Sequence, residues 1–128
     1  MNLSEAECGY VAGLIDGEGC IHIPQTGCTR LEVTNTYLPV LEWLRATFGG
    51  IVVRSRLGVG HLKTCYRWQI VGRSALDVLQ MAYPFMRIKS PQARLALDFD
   101  AQRVPWRRGE DAKELRDGFR LAIHSLNS

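Results

Sequence analysis

The chain has 128 residues, 46% hydrophobic and 23% charged, with a formal net charge of +3. That is one domain's worth of chain, 1–128, with enough apolar content for a packed core, which excludes a disordered protein. It contains no run of about 18 apolar residues, so no membrane span is expected.

The first residues, Met1 to Glu7, are acidic and lack the basic start and apolar run of a secretory signal. Ser4-Glu5-Ala6-Glu7 is a capping box, which predicts a helix from Glu5 to about Asp16 that stops at Gly17. Cys20 to Pro24 alternates, the turn Gln25-Thr26-Gly27 follows, and Thr29 to Thr34 alternates again, which together predict a β-hairpin. A second helix is expected from Pro39 to Phe48, ended by Gly49-Gly50. Ile51 to Leu57 and Lys63 to Val71 are two further strands around the turn Gly58-Val59-Gly60. Ser74 is placed to cap a third helix that Pro84 closes, and Ser90-Pro91 to open a fourth that reaches about Asp100. Arg103 to Gly109 is a basic loop, in which Arg103, Arg107 and Arg108 are either phosphate contacts or plain loop charges. Glu110 to Leu126 is an amphipathic helix with Leu115, Phe119, Ala122, Ile123 and Leu126 on one face. The order αββαββα plus two C-terminal helices predicts an α+β fold: an antiparallel sheet with helices on one face and the other face open.

Alternation assigns the sides. Ile21, Ile23, Leu31, Val33, Val53, Tyr66, Trp68 and Ile70 are expected under the helices. His22, Pro24, Arg30, Glu32, Arg54, Arg56, Lys63, Arg67 and Gln69 are expected on the open face. Between Glu42 and Asp77 there is no acid, whereas Arg45, Arg54, Arg56, Lys63, Arg67 and Arg73 all fall there. Such a one-signed stretch fits either a surface that meets a polyanion or a basic, solvated face. The cysteines Cys8, Cys20, Cys28 and Cys65 have no zinc spacing and read as reduced thiols of an intracellular protein, cytoplasmic or organellar.

The first helix carries Gly9, Ala12, Gly13 and Asp16 at i, i+3, i+4 and i+7, on one face. Glycine costs up to about 1 kcal/mol inside a helix, so the small face calls for a close neighbour. That neighbour is either the chain's own sheet or a second copy of the helix across a two-fold axis. Asp16-Gly17-Glu18-Gly19 follows, and reads either as a solvated acidic helix stop or as carboxylates gathered around a metal.

Val11-Ala12-Gly13-Leu14-Ile15-Asp16-Gly17-Glu18-Gly19 resembles the motif that names the LAGLIDADG homing endonucleases, with Val11 and Gly17 as mild departures. Glu32 to Thr36 with a following helix that ends Phe48-Gly49-Gly50 is similar to that family's second block. Tyr66 to Ile70 resembles its fourth strand, and Pro84 to Lys89 with Gln92-Ala93 its late lysine block. Where Tyr37 stands, many relatives carry an acid, so the loop after Asn35 is expected to be arranged differently.

The resemblance implies a saddle-shaped sheet over DNA, and the single motif implies a homodimer packed through Gly9, Ala12, Gly13 and Asp16. It implies a double-strand break in a long, roughly palindromic target, in the service of intron homing. Hydrolysis of the phosphodiester would depend on Mg²⁺, with Mn²⁺ able to substitute and Ca²⁺ supporting binding without cleavage. Glu18 and the Gly19 carbonyl correspond to the metal ligands, Asp16 to a structural acid, and Lys89 and Asn35 to residues that hold the catalytic water network. DNA contacts are expected from His22, Pro24, Gln25, Arg30, Glu32, Arg54, Arg56, Lys63, Arg67 and Gln69. The alternatives are an RNA maturase and a non-cleaving DNA-binding regulator; the intact Glu18 argues against a pure maturase and leaves a dual role with RNA open, and retention of Glu18 and Lys89 argues against the regulator.

Overall fold

Ser4 Oγ accepts the Glu7 amide and the Glu7 carboxylate accepts the Ser4 amide, both at 3.1 Å, and this box starts helix α1 (Glu5–Glu18). The helix passes through Gly17 rather than stopping there. A single glycine weakens a helix without breaking it, and burial of Val11, Ala12 and Ile15 holds α1 in place to its end. Gly19 closes it by donating its amide to the Ile15 carbonyl. A β-carbon at Gly19 would lie 2.7 Å from that carbonyl oxygen, so the sharp exit from helix to strand requires glycine.

The computed structural model describes residues 2–103 and 109–127. After α1 come β1 (Gly19–His22), β2 (Arg30–Asn35), α2 (Leu38–Phe48), β3 (Ile51–Arg56) and β4 (Cys65–Val71). They are followed by α3 (Gly72–Ala82), a short 3-10 turn (Tyr83–Phe85), α4 (Ser90–Gln102) and α5 (Glu110–Asn127). The strands form one antiparallel sheet in the order β1-β2-β4-β3. The helices cover one of its faces, so the α+β fold expected from the element order is the one observed.

The buried side of the sheet is built from cross-strand rows: Ile21 opposite Leu31, Leu31 opposite Ile70, and Val33 opposite Trp68. All four strands' worth of apolar surface packs against Val11, Ile15, Leu41, Leu44, Ala75, Leu79 and Ala96 from the helices. Trp68 is wholly buried, and its indole N–H donates to the Gly49 carbonyl at 2.8 Å. That bond fixes the Gly49-Gly50 turn, where Gly50 sits at φ +85° with the Gln69 carbonyl 2.5 Å from where a β-carbon would stand. Truncating a buried tryptophan costs about 3–5 kcal/mol.

Two expected caps are replaced by tertiary contacts. Ser74 lies inside the first turn of α3, whose start is tied to the sheet by the Gly72 amide donating to the Thr29 carbonyl at 2.9 Å. Ser90 is the first residue of α4, and Lys89 takes the cap position with its side chain committed elsewhere. The C-terminal helix α5 has a clear task. β1 is an edge strand, and the side chains of Asn127 and Arg120 donate to the Ile21 carbonyl within it and the Ile23 carbonyl just past its end, each at 3.0 Å. Satisfying an edge in this way removes a template for unwanted pairing.

Candidate active site and nucleic-acid interface

The C-terminal end of α1 gathers the residues singled out by sequence. Glu18 is its last residue and is exposed. Two residues back, the Asp16 carboxylate accepts the Arg87 amide at 2.7 Å and the Lys89 amide at 2.9 Å, one on each oxygen. Lys89 then folds its side chain under the helix end, and its ammonium donates to the Asp16 carbonyl at 2.7 Å. A cation among the last carbonyls of a helix is favourably placed against the helix dipole. Burial disfavours the charged form of Asp16, but the amides of Lys89, Arg87 and Ile88 and the charge of Lys89 outweigh it and hold the carboxyl below its ordinary value.

Asn35 belongs to the same end of the sheet. Gly19 pairs with Val33, and Asn35 stands two residues further along β2. Its Oδ1 accepts the Tyr37 amide at 2.8 Å, a local turn that launches α2. Glu18, Gly19 and Lys89 thus share one corner of the molecule, whereas Asn35 lies at the same end of the sheet but pairs with Tyr66 on the helix side.

The donors at this corner are oxygens: the Glu18 carboxylate and the Gly19 carbonyl. Among the described residues no group of three or more His, Cys, Asp or Glu side chains is arranged to hold a metal ion. A hard divalent cation fits such a set only with further oxygens from water, a phosphate or a second copy; a closed four-ligand site is not built here.

The open face has three main rows. Cys20, Glu32, Gln69 and Ile51 stand side by side, as do His22, Arg30 and Val71, and then Thr34, Arg67 and Val53. His22 Nε2 and Arg30 Nε lie 3.5 and 3.6 Å from Glu32 Oε1. Burial holds the His22 imidazole below its ordinary pKa against the pull of Glu32, with Arg30 adding to the shift, which favours the neutral ring. Burial, then Glu32, push the Cys20 thiol up, so it stays protonated.

The register corrects one facing. Val52 pairs with Trp68 on the helix side, and Arg54 pairs with Tyr66 on that side too, whereas Val53 faces out beside Arg67. Sequence had placed Val53 in and Arg54 out. A bulge between Arg54 and Arg56 then resets the phase, bringing Arg56 opposite Cys65 on the open face. Arg56 donates to the Lys63 carbonyl at 3.3 Å, and Lys63 is an exposed loop residue rather than part of β4. Pro24 and Gln25 lie beyond the end of β1, in the hairpin loop.

The small face of α1 is corrected as well. Ala12 is wholly buried in the core, and the Asp16 carboxylate is used within the chain. The face left open carries Gly9, Gly13 and Gly17, where an added β-carbon would meet nothing within 4 Å. The i, i+4, i+8 spacing of Gly9, Gly13 and Gly17 is the sequence signal for this face, with Gly17 inside the helix rather than at its stop. Nearby, Tyr10 is 54% exposed and Ile88 68%. Arg103 donates to the Gly27 carbonyl at 2.8 Å and stacks over Phe99, while Arg107 and Arg108 lie outside the described residues. Arg120 and Asn127, which sequence did not single out, frame with His22 and His124 a cleft of about 380 Å³ beside the open face. No pattern in α5 announced them, because their partners are backbone carbonyls at a distant strand.

No protein-family model and no curated protein matches the sequence. Solved structures do. The homing endonuclease I-CvuI, in complex with its target in the presence of Ca, superposes with a TM-score of 0.76 at 18% identity, covering 95% of this chain and 82% of that one. The archaeal intron-encoded homing endonuclease I-Vdi141I, complexed with DNA, gives a TM-score of 0.59 at 15% identity, covering 91% and 98%. The meganuclease I-SmaMI, bound to uncleaveable DNA, gives 0.56 at 12% identity, covering 93% of this chain but 42% of that one. The fold of this chain is therefore that of structures described as homing endonucleases.

Proposed function

We propose that this chain is one protomer of a homodimeric LAGLIDADG-type homing endonuclease. It would make a double-strand break in a long, roughly palindromic DNA site by metal-dependent phosphodiester hydrolysis. The observation that carries the reading is the corner itself: Glu18 ends a motif helix whose last turn is held by Lys89 through Asp16, on the rim of an open sheet face bearing Arg30, Arg56 and Arg67. The chain spans most of two DNA-bound neighbours and under half of a third, which suits a single unit that pairs with its copy.

In this reading Glu18 and the Gly19 carbonyl hold a hard divalent cation, Mg²⁺, or Mn²⁺ in its place, with Ca²⁺ supporting binding alone. Such an ion supplies charge to the phosphate oxygens and lowers the pKa of a bound water. The chain's own groups arrange the rest. Asp16 latches the Arg87–Lys89 segment, which fixes where the Lys89 ammonium stands. Lys89 offers positive charge to the phosphate, and Asn35 offers an amide to the water network at the same end of the sheet. The open face fits the major groove, where strand side chains reach base edges and cations meet phosphates. The exposed Gly9, Gly13 and Gly17 stripe lets a second α1 approach closely, which would bring two Glu18 residues near one dyad. The four free thiols suit a reducing compartment.

Glu18→Gln tests the assignment. It keeps the size of the side chain and removes the charge that a metal needs. On a duplex enriched from a randomised pool in Ca²⁺, the variant should still bind. Its single-turnover cleavage in Mg²⁺ should fall roughly a thousandfold, since metal assistance contributes several kcal/mol and each ~1.4 kcal/mol is tenfold. Cleavage at near the wild-type rate would remove Glu18 from the active site.

A further inference from the structure

One carboxylate on the open face is hemmed in by donors. Glu32 stands in the middle of β2, with Cys20 on one side of it and Gln69 on the other. It is the only acid among the outward-facing strand residues, and its side chain is 16% exposed. A single oxygen, Oε1, faces both His22 Nε2 at 3.5 Å and Arg30 Nε at 3.6 Å. Both nitrogens are shut off from solvent, and that one oxygen lies at or just beyond hydrogen-bond reach of each. Two buried donors competing for one oxygen, each at the edge of reach, is an under-satisfied arrangement with a cost. A lone acid on a face that meets phosphates carries a further cost through repulsion. These costs are accounted for if the group works when the face is occupied.

We infer that Glu32 is a positioning residue for base reading: it grips Arg30 and His22 from behind and so fixes what each presents to the DNA. This rests on the reading that the open face binds duplex DNA. With Nε turned to Glu32, the terminal Nη1 and Nη2 of Arg30 form a pair, which matches the N7 and O6 acceptors of one guanine. Glu32 can only accept, so His22 turns an N–H at Nε2 towards it, which in a neutral imidazole leaves Nδ1 as an acceptor. That acceptor suits the amino group of an adenine or cytosine in the adjoining base pair. His22 and Arg30 are cross-strand partners, so the bases they read would be neighbours. Glu32 would then couple two adjacent positions of each half-site into one unit. The rival role, in which Glu32 itself accepts from a cytosine amino group, is less compatible with its burial behind two donors.

The experiment is enrichment of a randomised duplex pool in Ca²⁺ by the full chain. Wild type, Arg30→Lys, Glu32→Gln, Glu32→Asp and the Arg30→Lys/Glu32→Gln double variant are each followed by sequencing of the bound DNA. Melting curves establish that each protein compared is folded. Wild type should prefer guanine at one position per half-site. Arg30→Lys should lose that preference, because an ammonium cannot make the paired contact. Glu32→Gln should weaken the same preference by about tenfold and relax its neighbour. Glu32→Asp, which keeps the charge but shortens the reach, should do likewise, and the double variant should lose no more than Arg30→Lys alone. The inference is overturned if Glu32→Gln changes a different position from Arg30→Lys, or if both Glu32 variants keep every wild-type preference. If wild type enriches no sequence at all, it is the DNA-site reading that fails.

Discussion

Asp16 shows how one carboxylate can organise a site without touching a substrate. Its two oxygens take backbone amides from residues 71 and 73 positions away, and its carbonyl takes the Lys89 ammonium. Bonds to a charged acceptor are among the stronger ones, and partial solvation places this pair at the low end, about 1–2 kcal/mol. Asp16→Asn, which replaces one acceptor oxygen with a donor, should lower stability by about that amount and cut cleavage by freeing Lys89. Urea titration with a cleavage assay measures both. The pH dependence has a definite sign. The Asp16 carboxyl is depressed in the fold, so its contribution is complete above the unfolded value of ~3.9 and is lost as pH falls through the lower folded value. The stability gap between wild type and Asp16→Asn should therefore close at pH below that of an ordinary carboxylate. A gap that stayed constant down to that range would mean the latch is not ionic.

At the level of elements, α1 and β3 each answer a question that pattern alone left open or misjudged. The added β-carbon at Gly13 meets nothing within the chain, and leucine is a better helix former than glycine by about 0.8 kcal/mol. Gly13→Leu should leave the fold of the protomer intact while blocking the approach of a second α1. Sedimentation should give a folded monomer where wild type gives a dimer; a dimeric variant would mean that the copies, if they pair, do so elsewhere. In β3 the register against β4 puts Arg54 on the helix side and leaves Arg67 of β4 facing out, with its Nε buried and unpaired. Arg67→Ala should then weaken duplex binding about tenfold, and Arg54→Ala clearly less. Mobility shifts on one duplex compare the two directly. Equal losses would argue that Arg54 reaches around the sheet edge.

For the whole molecule, the dimension of the sheet sets the scale of the partner. One protomer's four strands suit about one helical turn of DNA, ~10 bp, so a two-fold pair should protect about 20 bp with approximate dyad symmetry. Footprinting in Ca²⁺ reads this, and protection of a single turn would contradict the paired arrangement. Among the described residues no helix is long and apolar enough to cross a membrane. α5 completes the fold by sealing the free edge of β1, which leaves the open face as the broad polar surface of the sheet.

The sequence by itself determined what depends on near neighbours and on period. The capping box at Ser4, the motif helix, the strand pairs with their turns, and the inward set Ile21, Leu31, Val33, Trp68 and Ile70 were all legible, because helix and strand repeats sort side chains locally. So was the candidate corner, since Glu18 and Gly19 are adjacent and Lys89 belongs to a recognisable block. Tertiary structure alone decided the rest. The burial of Ala12 depended on where α1 lands on the sheet. The facing of Arg54 depended on the register of β3 against β4, and a slip of one residue turns every side chain of a strand to the other face; the bulge after Arg54 then reset the facing of Arg56. The caps of α3 and α4 were overridden by Thr29 and Asp16, and the roles of Arg120 and Asn127 were set by backbone carbonyls in and just past β1. These contacts join residues far apart in the chain, and a backbone carbonyl looks the same in every residue, so no local pattern could have named them.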